Sequence, residues 1–207
     1  MKAVLVLIIS VTSLLAGCTS PQVRYHTLVS TDSVSHTVSP PDFVIDLLPV
    51  GVPAQLDTQQ VVVRQSDSRM VVLNNDRWLS PLGDELQTAL SLGMTQQLNT
   101  VDVAGLARDN RKPVVRVLMQ VRRFDSWPGN AVSLDADWSL SVQQEGKTRR
   151  LLCKSHLTQP LAGDPELMFT AWQQVVASLA SQIGQTATAW AATSAAGVVR
   201  SGAGTAP

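Results

Sequence analysis

The chain has 207 residues, of which 44% are hydrophobic, and its 16 Lys+Arg balance 16 Asp+Glu. An electroneutral chain lacks the basic stripe that binding to a phosphate backbone demands, which excludes nucleic acid as the partner class. It also offers no strong electrostatic attraction to anionic headgroups.

The first eighteen residues carry the sharpest signal. Lys2 supplies a positive start, and Ala3 to Leu15 is an apolar run interrupted only by Ser10, Thr12 and Ser13. This is a secretory signal, too short to span a bilayer. It ends in Leu15-Ala16-Gly17-Cys18, which resembles the lipobox of bacterial lipoproteins. The resemblance implies cleavage before Cys18, a diacylglycerol on its sulfur and an acyl chain on its new amino group. Two or more buried chains hold where one would not. Thr19 stands where lipoproteins retained at the inner membrane usually have Asp, so it reads as an outer-membrane address. Removal of residues 1–17 leaves about 190 residues, enough for one domain with a real core, and a net charge near neutral. With Cys18 acylated no intramolecular disulfide is available, and Cys153 is expected in the core.

Residues 18–42 form the lipidated N-terminus, with a short strand at Arg24 to Val29 and a Ser/Thr/Pro-rich loop after it. A globular body follows over 43–192. Phe43 to Leu48 reads as a buried strand. Val61 to Gln65 and Met70 to Leu73 read as a hairpin around Ser66 to Arg69. Asn74-Asn75-Asp76 reads as a further turn. Ser80 is the expected N-cap and Pro81 the first residue of a helix that reaches about Leu98. Asp84 and Glu85 suit its positive end, and Leu82, Leu86, Leu90, Met94 and Leu98 make its apolar stripe.

Val114 to Phe124 is the next strand. Val132, Leu134, Ala136, Trp138, Leu140 and Val142 then alternate with Ser and Asp, the period of a half-buried antiparallel strand. Glu145-Gly146 turns it back into Thr148 to Leu157. Asp164-Pro165-Glu166 opens a second helix with Met168, Trp172, Val175, Val176, Leu179 and Ile183 on one side. A small-residue tail over 193–207 is expected to be disordered. The fold class is α/β of α+β character: a single mixed, largely antiparallel sheet packed with two main helices. The Phe43 and Val114 strands are its expected parallel neighbours.

Candidate chemistry is sparse. Asp135 and Asp137 share a strand face with Ser133, Ser139 and Ser141, the pattern of a solvated surface rather than an acid–base pair. His26, His36 and His156 are scattered without metal-ligand spacing. No serine stands in a nucleophile elbow, and Gly202-Ala203-Gly204 follows no strand. The sequence therefore offers no catalytic, metal-binding or cofactor residues. Arg122-Arg123 and Arg149-Arg150 are short basic pairs on a wet face. The second helix is unusual: no charged residue occurs from Leu167 to Val199. Its Gln173, Gln174 and Gln182 belong either to a helix covered by its own domain or to a contact face for another subunit, because amides tolerate desolvation better than charges.

Several of these segments together resemble the ABC-type transport auxiliary lipoproteins. They are Tyr25-His26-Thr27-Leu28 soon after the lipid cysteine, Asn74 to Leu82 leading into the helix with Leu86 and Leu90, then Phe124, Gly129, Trp138 and Trp172. The resemblance implies an outer-membrane-anchored component of an intermembrane lipid transport system that supports envelope integrity and has no catalytic residues. The implied partners are a periplasmic MCE-domain protein that forms a lipid conduit and its inner-membrane partner; the uncharged second helix adds a second copy of the chain as a candidate. The alternatives are an assembly factor for another envelope complex and a lipid or peptidoglycan hydrolase.

Overall fold

The computed structural model describes residues 22–31, 39–107, 112–144, 146–163 and 166–201. Seven strands and two helices follow in chain order: β1 (Arg24–His26), β2 (Val44–Leu47), β3 (Gln60–Arg64), β4 (Met70–Trp78), α1 (Leu82–Leu98), β5 (Val114–Trp127), β6 (Ala131–Gln144), β7 (Lys147–Pro160) and α2 (Leu167–Ser201). The α+β class holds, with one correction. There are two mixed sheets instead of one, a three-stranded sheet ordered β1-β4-β3 and a four-stranded sheet ordered β2-β5-β6-β7.

The division has a physical cause. β2 pairs with β5 in parallel, Val44 opposite Val114, across the long connection that contains α1. A last backbone bridge joins Gly51 to Gln120. Beyond it the register of β5 shifts between Val121 and Arg123, and such a shift bends the strand. β3 then lies beside the far half of β5 but is joined to it by side chains. Arg64 Nε donates to both carboxylate oxygens of Asp125, at 3.0 and 2.9 Å. A buried ion pair replaces a ladder, so the sheets stay separate.

The expected hairpin of β3 and β4 forms around Ser66 to Arg69. Asn74-Asn75-Asp76 is not a turn. It lies within β4, at the place where the β3–β4 register jumps from Gln60 opposite Arg77 to Val62 opposite Val72. Asn and Asp suit that distortion as well as they suit a turn. The helix start is also one residue later than expected: Pro81 is the N-cap and makes no side-chain cap bond. Ser80 instead donates both its N–H and its hydroxyl to Glu85. Gly129 (φ 74) and Gly146 (φ 75) sit in left-handed turns that join β5 to β6 and β6 to β7.

Both helices pack on one side of the four-stranded sheet. The apolar stripes read from sequence are buried in full: Leu82, Leu86, Leu90, Met94 and Leu98 on α1, and Met168, Trp172, Val175, Val176, Leu179 and Ile183 on α2. They meet Val132, Leu134, Ala136, Trp138 and Leu140 of β6, buried as the alternation requires. Each large side chain so removed from water contributes about 1.5–3 kcal/mol. The helices cross closely at Gly93, where an added Cβ would stand 2.9 Å from that of Ala180. Cys153 is half-buried at the margin of this core rather than inside it. α2 is helical through Ser201, so the backbone over 193–201 is helical where the residues suggested a disordered tail; residues 202–207 lie outside the described residues.

Candidate functional site

Cys18, Thr19 and His36 lie outside the described residues. The structure does show how the chain that follows Cys18 is fastened to the body. β1 is only three residues long, yet it pairs in parallel with β4, Arg24 opposite Asp76 and His26 opposite Trp78. Five side chains reinforce it. His26 Nε2 lies 2.8 Å from Asp76 Oδ1, and its ring stacks on Phe169 at 3.4 Å. Arg24 Nη2 reaches Asp76 at 3.0 Å, and Nη1 pairs with Glu166 ahead of α2. Burial pushes the Asp76 carboxyl up, but hydrogen bonds from His26 and Arg24 and the Arg24 charge outweigh it and hold the group below its ordinary range. Those same contacts raise the Arg24 guanidinium further.

Glu85 completes the clasp. Its side chain is buried. Oε2 accepts from Thr27 Oγ1 at 2.8 Å and from the Leu28 N–H at 3.0 Å. Oε1 accepts from the Ser80 N–H at 3.1 Å and Ser80 Oγ at 2.9 Å. One carboxylate thus ties the segment after β1 to the start of α1. Gln173 Nε2 donates to the carbonyls of Thr27 and Val29, at 3.0 and 3.1 Å. Sequence reasoning saw Glu85 only as a helix-dipole residue, and no local signal shows that four donors converge on it.

Trp78 is 2% exposed and meets Phe124 and Phe169 edge-on at 6.1 and 5.6 Å. Phe124 stacks on Trp172 at 3.5 Å, and Trp172 Nε1 donates to Ser126 Oγ. This aromatic column joins the small sheet, β5 and α2. Trp78 therefore packs across the domain and not simply back on α1.

The three glutamines do not gather on one side of α2. Gln173 is held by the N-terminal segment. Gln182 accepts from Ser155 Oγ at 2.9 Å, which in turn accepts from Trp138 Nε1. Nine residues of helix separate the two, which puts them on opposite sides. Gln174 is exposed and, with Gln173, lines a groove of about 480 Å³ between α1 and α2 beside Leu92, Gln96, Gln97 and Ser181. The only charged residues of α1 are Asp84 and the buried Glu85. The exposed side of the helical layer is consequently amide and hydroxyl with almost no charge.

The polar residues considered as chemistry are engaged by neighbouring side chains. Asp135 pairs with His156. Asp137 pairs with Arg122 at 2.9 Å and Lys154 at 3.9 Å. Arg123 pairs with Asp125, and Arg149 lies over the Trp190 ring at 5.1 Å. Burial pushes the Cys153 thiol up, away from reactivity. Among the described residues, no group of three or more His, Cys, Asp or Glu is placed to hold a metal, and no helix is long and apolar enough to cross a membrane.

Comparison with known proteins agrees with the expectation drawn from the motifs. The intermembrane transport lipoprotein PqiC of Escherichia coli K12 is 27% identical over 173 residues, covering 82% of this chain and 91% of that protein. The Shigella flexneri protein of the same name matches equally. Two crystal structures share the fold. One, of an uncharacterized protein, has a TM-score of 0.61 at 22% identity and covers 80% of this chain and 98% of its own. The other, XCC0632 from Xanthomonas campestris, has a TM-score of 0.60 at 13% identity and covers 84% and 96%. The model of the ABC-type transport auxiliary lipoprotein component matches residues 26–184, from the clasp histidine to the middle of α2, and the chain belongs to that family.

Proposed function

We propose that this transport auxiliary lipoprotein is anchored by acylated Cys18 at the periplasmic face of the outer membrane, where it docks the periplasmic conduit of an intermembrane lipid transport system. The observation that carries the reading is the conjunction of family and anchor. A lipobox precedes a domain whose curated relative is an intermembrane transport lipoprotein. Thr19 in place of Asp supports the outer-membrane address.

The role is docking, and the domain is not an enzyme. The candidate acids and bases are engaged with one another and with basic side chains, and the family is one of transport auxiliaries. The partners on this reading are a periplasmic MCE-domain protein and its inner-membrane companion. The helical layer is the surface offered to the conduit, because an uncharged face loses little on desolvation while a charged one loses much. A lipid anchor concentrates that face in a thin layer, which raises effective concentration without any new contact.

The test is acyl labelling with membrane fractionation. Wild type is expected to carry label and to sediment with the outer membrane. Cys18→Ala is expected to lose label and to be released or left uncleaved. Label that persists in Cys18→Ala places the anchor elsewhere and overturns the reading.

A further inference from the structure

The three-stranded sheet has a covered and an uncovered face. Val61, Val63 and Trp78 are turned into the core, and Asp76 turns inward with His26. The other face carries Tyr25 (62% exposed), Leu79 (61%), Val23 and Val72 (each 44%) and Met70 (41%). The register places Tyr25 beside Arg77, Val72 beside Val62 and Met70 beside Arg64. Five of the eleven most exposed large apolar side chains among the described residues thus fall on this one small sheet. Asp76 is the only acid in its three strands and turns inward, and Arg64 is engaged by Asp125, so the apolar side chains of the outer face are accompanied by Arg77. The exposed apolar side chains fall in two groups, Val23, Tyr25 and Leu79 at the β1 end and Met70 and Val72 at the hairpin end, and apolar exposure concentrated on one small sheet marks a contact surface.

The same sheet contains the strand nearest the anchor. Five residues separate Cys18 from Val23, and an extended chain covers at most about 3.6 Å per residue, or about 18 Å in total. The clasp of Arg24, His26, Asp76 and Glu85 allows β1 no independent excursion. The β1 end of the sheet is therefore held within that distance of the bilayer surface. We infer that the outer face of the β1-β4-β3 sheet rests on the lipid surface, with Tyr25, Val72 and Leu79 in the headgroup region and Arg77, whose Nη1 donates to the Leu73 and Asp76 carbonyls, turning its remaining N–H groups to lipid phosphates. Tyrosine suits that position, since its ring is apolar and its hydroxyl is wet. Contact of this kind fixes the orientation of the domain and turns the helical layer away from the membrane of the anchor. The inference rests on lipidation of Cys18.

Full-length lipidated protein carrying Cys153→Ser and one added cysteine, Tyr25→Cys, Val72→Cys, Leu79→Cys or the control Leu152→Cys, is labelled with a polarity-sensitive fluorophore. It is reconstituted in vesicles of phosphatidylethanolamine and phosphatidylglycerol, and vesicle flotation and near-UV circular dichroism are recorded on each sample. Labels at 25, 72 and 79 are expected to shift to shorter wavelength and to be quenched by nitroxide-bearing lipids, while the label at 152 stays in water. Floated, folded protein whose three sheet labels remain unshifted overturns this inference and leaves the anchor standing. Protein that fails to float overturns the anchor and this inference together. A blue shift present in detergent without vesicles, and rising with protein concentration, assigns the face to a second copy of the chain and overturns the membrane contact.

Discussion

Glu85 shows how much one buried carboxylate organises here. Its four donors come from two segments that sequence keeps 52 residues apart, Thr27–Leu28 and Ser80. Glu85→Ala leaves the Leu28 and Ser80 N–H groups without their acceptor, and each such loss costs about 1–3 kcal/mol. Chemical denaturation is expected to show a destabilisation of roughly 2–4 kcal/mol, with proteolysis near residue 30 accelerated beyond the global effect. A Glu85→Ala variant that melts like wild type would remove the clasp from the account. Asp76 makes a different prediction. Its folded pKa lies below the unfolded value of about 3.9, so its contribution is present above that pH and is lost as pH falls through the lowered folded pKa. Asp76→Asn is expected to flatten the decline of stability in that acid window, read by urea titration between about pH 5 and pH 2. Trp78, at 2% exposure between Phe124 and Phe169, is expected to cost about 3–5 kcal/mol when cut to alanine. Loss of transport with an unchanged melting temperature would instead make it a contact residue.

At the scale of elements, the two helices were legible because each carries a full 3.6-residue apolar stripe, and every residue of both stripes is buried. β6 was legible for the same reason at period two. The parallel partnership of β2 and β5 followed from connection length. The separation of the sheets was not legible, because it depends on whether β3 and β5 join by a ladder or through Arg64 and Asp125, a contact 61 residues apart in sequence. Asn74-Asn75-Asp76 misled because a bulge and a turn call for the same residue types. Gly93 also gave no signal within its own helix, since the need for it arises from Ala180 on the other. Gly93→Val is expected to force α1 and α2 apart and to cost about 1–3 kcal/mol, measured as a fall in denaturation midpoint with unchanged slope. An unchanged midpoint would show that the crossing is loose.

The whole molecule is a domain with three dissimilar surfaces. A small sheet presents an apolar outer face, a helical layer with almost no charge covers one side of the larger sheet, and a polar face of paired side chains covers the other side. Neutral overall charge leaves recognition to shape and desolvation, so partner binding is expected to vary little with salt. Within the helical layer the glutamines divide by role. Gln182→Lys breaks the bond from Ser155 and is expected to act on stability. Gln174→Lys places a charge in the open groove and is expected to act on binding alone. The central claim is that this lipoprotein docks a transport conduit through that layer. Crosslinking in intact cells, followed by affinity capture of the lipidated full-length chain and mass spectrometry of what it holds, tests the claim most directly. Recovery of an MCE-domain protein with wild type, reduced severalfold for a stably folded Gln174→Lys variant, is the expected outcome. Capture of peptidoglycan enzymes or another envelope complex with no MCE-domain protein would contradict it.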